Sequence, residues 1–258
     1  MTRDWWVLGW VALAGLAAGS FLNVCIHRVP RAQSIVLPPS QCTSCGHQLS
    51  WHENIPVFSY AVLAGRCRSC RSPISIMYPL VEVTTAVVFV AGYWWYGLTP
   101  LLAIRLPFAC AMIVLFVIDL QQRILPNRIT IPGIIVGFML SFFAEPGWVS
   151  SLIGIIVGGG TLLAVSEVYY RVRHEEGLGM GDVKMLAMIG AFLGWKQALL
   201  TLILASFLGS IVGVAILVAK KESLKYALPF GTFLAAAALV AAVAGDGLIA
   251  WYLGFYQQ

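Results

Sequence analysis

Long apolar runs separated by short polar stretches organise this chain. A helix that crosses a bilayer needs roughly 20 mostly apolar residues. On that measure spans fall near 5–25, 79–97, 101–120, 128–144, 150–169, 182–195, 197–219 and 228–246. The sixth is short and carries Lys184. The stretch from Leu248 to Tyr256 holds Trp251, Tyr252 and Tyr256 and reads as an interfacial tail, where aromatic side chains gather. Residues 28–77 break the apolar pattern, being polar, turning at Pro38, Pro39 and Pro56, and holding four of the six cysteines. The expected fold is an all-α polytopic membrane protein of about eight transmembrane helices, with a loop domain between the first two. Its expected parts are a first transmembrane helix at 1–27, a loop domain at 28–77 and a membrane-embedded core at 78–258. No internal repeat is visible.

Composition narrows the class. The 258 residues are 60% hydrophobic and 10% charged, with mean hydropathy +0.86. Soluble domains are about 45–50% apolar and about 25% charged, and disordered chains are poorer still in apolar residues; both classes are excluded. The net charge of +5 suits anionic lipid headgroups, and no nucleic-acid partner is expected. Basic residues gather on the cytoplasmic side of membrane proteins. With an external N-terminus, thirteen of the sixteen Lys and Arg fall inside, and Arg3, Arg105 and Lys196 fall outside. That topology places residues 28–77 in the cytoplasm. Ala17, Ala18 and Gly19 resemble a signal cleavage site, but the apolar run ends in Asn23 and His27, so the first span is expected to be retained.

Cys42-Thr-Ser-Cys45 and Cys67-Arg-Ser-Cys70 are two CxxC pairs with 21 residues between them. Two such pairs can present four thiolates tetrahedrally to Zn²⁺. Gly46 supplies a flexible backbone after the first pair. A metal would replace the core that this polar loop lacks. Disulfides are disfavoured in a reducing cytoplasm, and His47 or His52 are alternative ligands to one Cys. Four thiolates leave no open position, so the zinc is expected to be structural. Cys25 and Cys110 lie in spans and are expected only to pack.

Carboxylates at membrane depth are costly and mark function. Asp119 ends the third span and Asp182 begins the sixth, 63 residues apart in sequence, and the topology puts both at the cytoplasmic side. Two carboxyl groups meeting in a low-dielectric site share a proton, so one can activate water while the other protonates a leaving group. Either Asp alone is accounted for as well by helix capping or interfacial solvation; the pair carries the case. Gly177, Gly179 and Gly181 permit close backbone approach. Glu82 is expected to neutralise Lys184 or Arg128, or to orient the pair. Glu167 is expected to bond Arg171 at i,i+4, and Asn23 and His27 share a face suited to interhelical hydrogen bonds.

These residues closely resemble the type IV prepilin peptidases. The resemblance rests on Gly19-Ser-Phe-Leu-Asn-Val-Cys-Ile-His-Arg-Val-Pro30, the double CxxC loop, Gly65-Arg-Cys67, Pro73-Ile-Ser75 and Tyr78-Pro-Leu-Val-Glu82. Gly179-Met-Gly-Asp-Val-Lys184 and Pro229-Phe-Gly231 complete it in the same order. A lone GxGD would also suit presenilin-like intramembrane proteases. The resemblance implies a bifunctional enzyme of the bacterial inner membrane. It would cut the basic leader from type IV prepilins or type II secretion pseudopilins after a Gly at the cytoplasmic surface. It would then methylate the new N-terminus with S-adenosylmethionine. It implies that Asp119 and Asp182 are the aspartyl protease pair and that the loop serves methyl transfer, with Gly65 tied to that activity and Glu53 a looser candidate. The sequence departs from the family pattern at Gln121, Asn127 and Thr232, none of which is expected to touch the Asp pair. The alternatives are an ion- or proton-coupled transporter relaying charge through Asp119, Asp182 and Glu82, and a zinc-loop docking module on an inert anchor.

Overall fold

The computed structural model of the chain describes residues 4–174, 179–220 and 228–254. All described regular structure is helical: α1 Trp5–Arg28, α2 Phe58–Val62, α3 Met77–Tyr96, α4 Pro100–Gln122, α5 Asn127–Leu140, α6 Trp148–Arg173, α7 Met180–Leu193, α8 Trp195–Lys220 and α9 Phe230–Gly254. Each of the eight apolar stretches is a helix, and six of these are long and apolar enough to cross a membrane. The other two, α5 and α7, have 14 residues each. At 1.5 Å per residue that is about 21 Å, short of a hydrocarbon core of about 30 Å. The stretch expected as an interfacial tail instead continues α9 through Gly254; residues 255–258 lie outside the described residues. So do Glu175, Glu176, Gly177, Lys221 and Lys225, together with the side chain of Lys220.

The chain divides into two compact units after Val114, within α4. In the first unit α1 and α3 pack antiparallel along a seam of glycines. A Cβ on Gly15 would lie 2.6 Å from Ala86 Cα, and one on Gly19 would lie 2.6 Å from Glu82 Cα. Helices in lipid associate through small residues that let backbones approach this closely. The Asn23 amide donates to the Tyr78 carbonyl at 3.0 Å, which fixes the register and is the interhelical bond the sequence suggested.

In the second unit the short α7 is the core. From Met185 to Leu193 every residue is buried, as expected of a helix that is apolar all round. It packs against α5, α6, α8 and α9. Gly190 leaves no room for a Cβ against the Gly154 backbone of α6, so the two helices cross in backbone contact. Ser151 seals this crossing by donating to the Ala191 carbonyl at 2.8 Å. Asp182 is half-buried at the start of α7, where the exposed Gly179 and Met180 give way to the buried run from Met185. On the exposed side of α6 Glu167 and Arg171 form the expected i,i+4 pair at 2.8 Å.

Candidate peptidase centre and cysteine cluster

Asp119 occupies the last turn of α4 and is 5% exposed. Its Oδ2 accepts two hydrogen bonds from Thr232, from the backbone N–H at 2.6 Å and from the hydroxyl at 3.0 Å. Thr232 lies in the first turn of α9, where backbone N–H groups have no partner within the helix. The Asp119 carboxylate therefore takes up a free donor of α9. Gly231 makes the approach possible, since a Cβ there would lie 3.0 Å from Asp119 Oδ2 and 2.8 Å from Leu125 Cδ1. The same Leu125 reaches Gly181, where a Cβ would lie 2.9 Å from Leu125 Cβ.

Leu125 thus wedges between the glycine preceding Asp182 and the glycine preceding Thr232. Asp119, which meets Gly231, and Asp182, which follows Gly181, therefore border the same cluster around Leu125. Asp182 sits in the first turn of α7, its N–H bonded to the Gly179 carbonyl at 3.0 Å. Lys184 donates to Asn127 Oδ1 at 2.9 Å, tying the starts of α5 and α7 together. The expectation that Thr232 stands clear of Asp119 is therefore corrected. Thr232 offers both its backbone and its side-chain donor to this carboxylate. Thr232 and Leu125 were missed as site residues; the signal was the Pro-Phe-Gly turn itself, which marks a helix start with unpaired donors.

In the first unit the loop folds as two equivalent knuckles. Cys42 N–H bonds the His47 carbonyl at 2.8 Å, and Cys67 N–H bonds the Ser72 carbonyl at 2.9 Å. Isolated bridges join Gln41 to Gln48 and Arg66 to Pro73 at the same offsets. Gly46 and Arg71, each directly after its CxxC, both adopt positive φ, +71° and +61°. This is a local repeat that the sequence reading did not find, because beyond the cysteines the two segments share little more than Ser44 with Ser69 and Ser50 with Ser75.

The four Sγ atoms lie within 4.8 Å of one another, with Cys42–Cys70 at 3.9 Å and Cys45–Cys67 at 4.0 Å. A tetrahedron of Zn–S bonds of about 2.3 Å has edges of about 3.8 Å, so the cluster fits a tetrahedral metal ion. All four cysteines are free. The N–H groups of Cys45 and Ser44 pull the Cys42 thiol down to about 6, and the Ser72 hydroxyl and N–H lower Cys70, while burial and the neighbouring cysteines push Cys45 up to about 11. His47 bonds Glu53 Oε2 at 3.3 Å and belongs to a different contact from the sulfur cluster.

Glu53 ends the 3₁₀ turn Trp51–Glu53 and closes a capping box on Ser50, whose N–H reaches Oε2 at 2.8 Å. That donor holds the Glu53 carboxyl below its usual range. Gly65 has φ +66°, and a Cβ there would lie 2.9 Å from the Tyr60 hydroxyl; it is a turn residue that also makes room for Tyr60. Glu82 accepts the Val57 N–H at 2.7 Å, which ties α3 to the loop backbone.

Residues 13–96 match the bacterial peptidase A24 N-terminal domain, and residues 106–214 match the type IV leader peptidase family. A protein of Pseudomonas putida named prepilin leader peptidase/N-methyltransferase is 38% identical, covering 92% of this chain and 90% of its own. Proteins of the same name from Myxococcus xanthus and Pseudomonas aeruginosa are 43% and 34% identical. They cover 80% and 94% of this chain, which spans 62% and 92% of theirs. No solved structure matches. A chain matched by both domains in sequence order, and by the two Pseudomonas relatives along nearly their whole length, belongs to the type IV leader peptidase family.

Proposed function

We propose that this multi-pass membrane protein is an aspartyl endopeptidase that removes the leader from prepilins or pseudopilins and then N-methylates the new N-terminus. The observation that carries the peptidase reading is the cluster around Leu125, which gathers Asp119 and Asp182 from helices far apart in sequence. One carboxylate takes a proton from water, whose oxygen bonds to the carbonyl carbon of the Gly that ends the leader. The partner carboxyl gives its proton to the amide nitrogen, and the C–N bond breaks. Thr232 orients Asp119 for this step. Nothing among the findings supports the transporter reading.

The enzyme lies in the bacterial inner membrane with its N-terminus external and the cysteine loop cytoplasmic, as the basic residues suggest. A prepilin carries a basic leader before an apolar helix, so its scissile bond meets the membrane surface where these carboxylates sit. Residues 1–27 form the first span, 28–77 the loop domain and 78–258 the protease core. Zn²⁺ held by Cys42, Cys45, Cys67 and Cys70 is structural, for four thiolates leave no position for substrate. S-adenosylmethionine supplies an electrophilic methyl group, and Gly65 and Glu53 serve that activity from the loop. Incubating the detergent-solubilised protein with a tagged prepilin and S-adenosylmethionine, then weighing the product's N-terminus, tests the whole reading. Loss of the leader with gain of one methyl group is expected; an intact prepilin overturns it.

A further inference from the structure

Glu82 is a buried carboxylate for which the peptidase chemistry has no use. It stands in the second turn of α3, 8% exposed, and is held by the Val57 N–H. Val57 donates from φ +59°, a region β-branched residues rarely enter. Strain of this kind persists where the surroundings fix it, and it gathers at binding sites.

Glu82 lines two adjoining cavities of about 670 Å³ and about 480 Å³, within the range of about 300–1,000 Å³ usual for small-molecule sites. His27, Asn54 and Tyr78 line both as well. The smaller cavity is also walled by Glu53, whose Oε1 is buried and has no hydrogen-bond partner. A buried acceptor in that state awaits a donor. Tyr60, accommodated by Gly65, lines the same cavity. The larger cavity runs to Arg28 and Arg31. Arg28 is engaged by the Ser34 and Pro38 carbonyls, whereas Arg31 bonds the His27 carbonyl through one nitrogen and is exposed.

Two buried acids wall the smaller cavity, at whose edge Arg68 is taken up by His52, and Arg31 stands toward the larger one. Phosphate-bearing cofactors would meet the buried carboxylates and be repelled. A sulfonium amino acid carries two positive groups and one carboxylate, the complement of what these walls present. We propose that these joined cavities bind S-adenosylmethionine. Glu82 and Glu53 supply the negative charge that its sulfonium and ammonium need, and Arg31 supplies positive charge for its carboxylate. The proposal rests on the methyltransferase reading above and adds the location of the donor and the role of Glu82. It also gives Gly65 a physical task, for a side chain there displaces Tyr60 from the cavity wall.

The test is equilibrium binding to the full-length protein in detergent, comparing S-adenosylmethionine with its neutral thioether product S-adenosylhomocysteine. Glu82→Gln is expected to weaken the sulfonium ligand about tenfold or more, as loss of a charged contact does, and the thioether less than about threefold. Unchanged binding, or equal weakening of both ligands, overturns the proposal. Should the variant fail to fold, ultraviolet cross-linking of methyl-labelled S-adenosylmethionine to the wild-type protein decides. Label within residues 53–82 is expected, and label confined to the second unit overturns it. Wild-type protein that methylates prepilin while Glu82→Gln binds as before sinks this site alone. Protein that neither cleaves nor methylates sinks the functional reading.

Discussion

Thr232 shows how much a single position can decide. Its backbone and side chain both donate to one oxygen of Asp119, so the carboxylate is aimed from α9 and not only from its own helix. A hydrogen bond to a charged group is worth about 1.5–3 kcal/mol. Thr232→Val keeps the shape and the N–H but removes the hydroxyl donor. It is expected to lower the rate of prepilin cleavage about ten- to hundredfold, measured by single-turnover cleavage. An unchanged rate would mean that the hydroxyl does not orient Asp119. The sequence offered Asp119, Asp182 and the four cysteines because charge and sulfur stand out in so apolar a chain. It did not offer Thr232 or Leu125, since an uncharged residue becomes part of a site only through what folding sets beside it.

Helices and knuckles follow from local chemistry to different depths. The spans were readable because bilayer thickness imposes their length, whereas α5 and α7, 14 residues each, take their place chiefly by packing on other helices. The α6–α7 crossing depends on Gly154 and Gly190, whose need for close contact no periodicity reveals. Gly190→Val is expected to cost more than about 3 kcal/mol through overpacking of the backbone. Gly160, with nothing within 4 Å of an added Cβ, is expected to accept Ala within about 1 kcal/mol. Thermal unfolding in detergent compares the two, and equal tolerance at both would contradict backbone contact at the crossing. In the loop the CxxC spacing announced a metal, while the twin knuckles emerged only from the backbone. Cys42→Ser, or treatment with a strong chelator, is expected to release the metal and abolish methylation while impairing cleavage less. Metal analysis with both activity assays checks this, and full methylation by metal-free protein would contradict it.

Taken entire, the chain sets a few polar groups in an apolar scaffold, and the scaffold determines which of them meet. The burial of α7 delivers Asp182, the end of α4 delivers Asp119, and the start of α9 holds Asp119 in place. Composition alone announced a membrane protein; the order of motifs supplied the family; the meeting of the two carboxylates needed the fold. Charge asymmetry also predicts an orientation, which cysteine labelling of engineered positions in intact cells checks. A cysteine placed at Gln33 is expected to resist membrane-impermeant reagents and one placed at Lys196 to react, and the reverse pattern would invert the topology. The central claim is that Asp119 and Asp182 act as one unit. Cleavage of a prepilin by Asp119→Asn, Asp182→Asn and the double variant, each folded and loaded with metal, tests it most directly. Each single variant is predicted to lose cleavage as completely as the double; a single variant that cuts at the wild-type rate would contradict it.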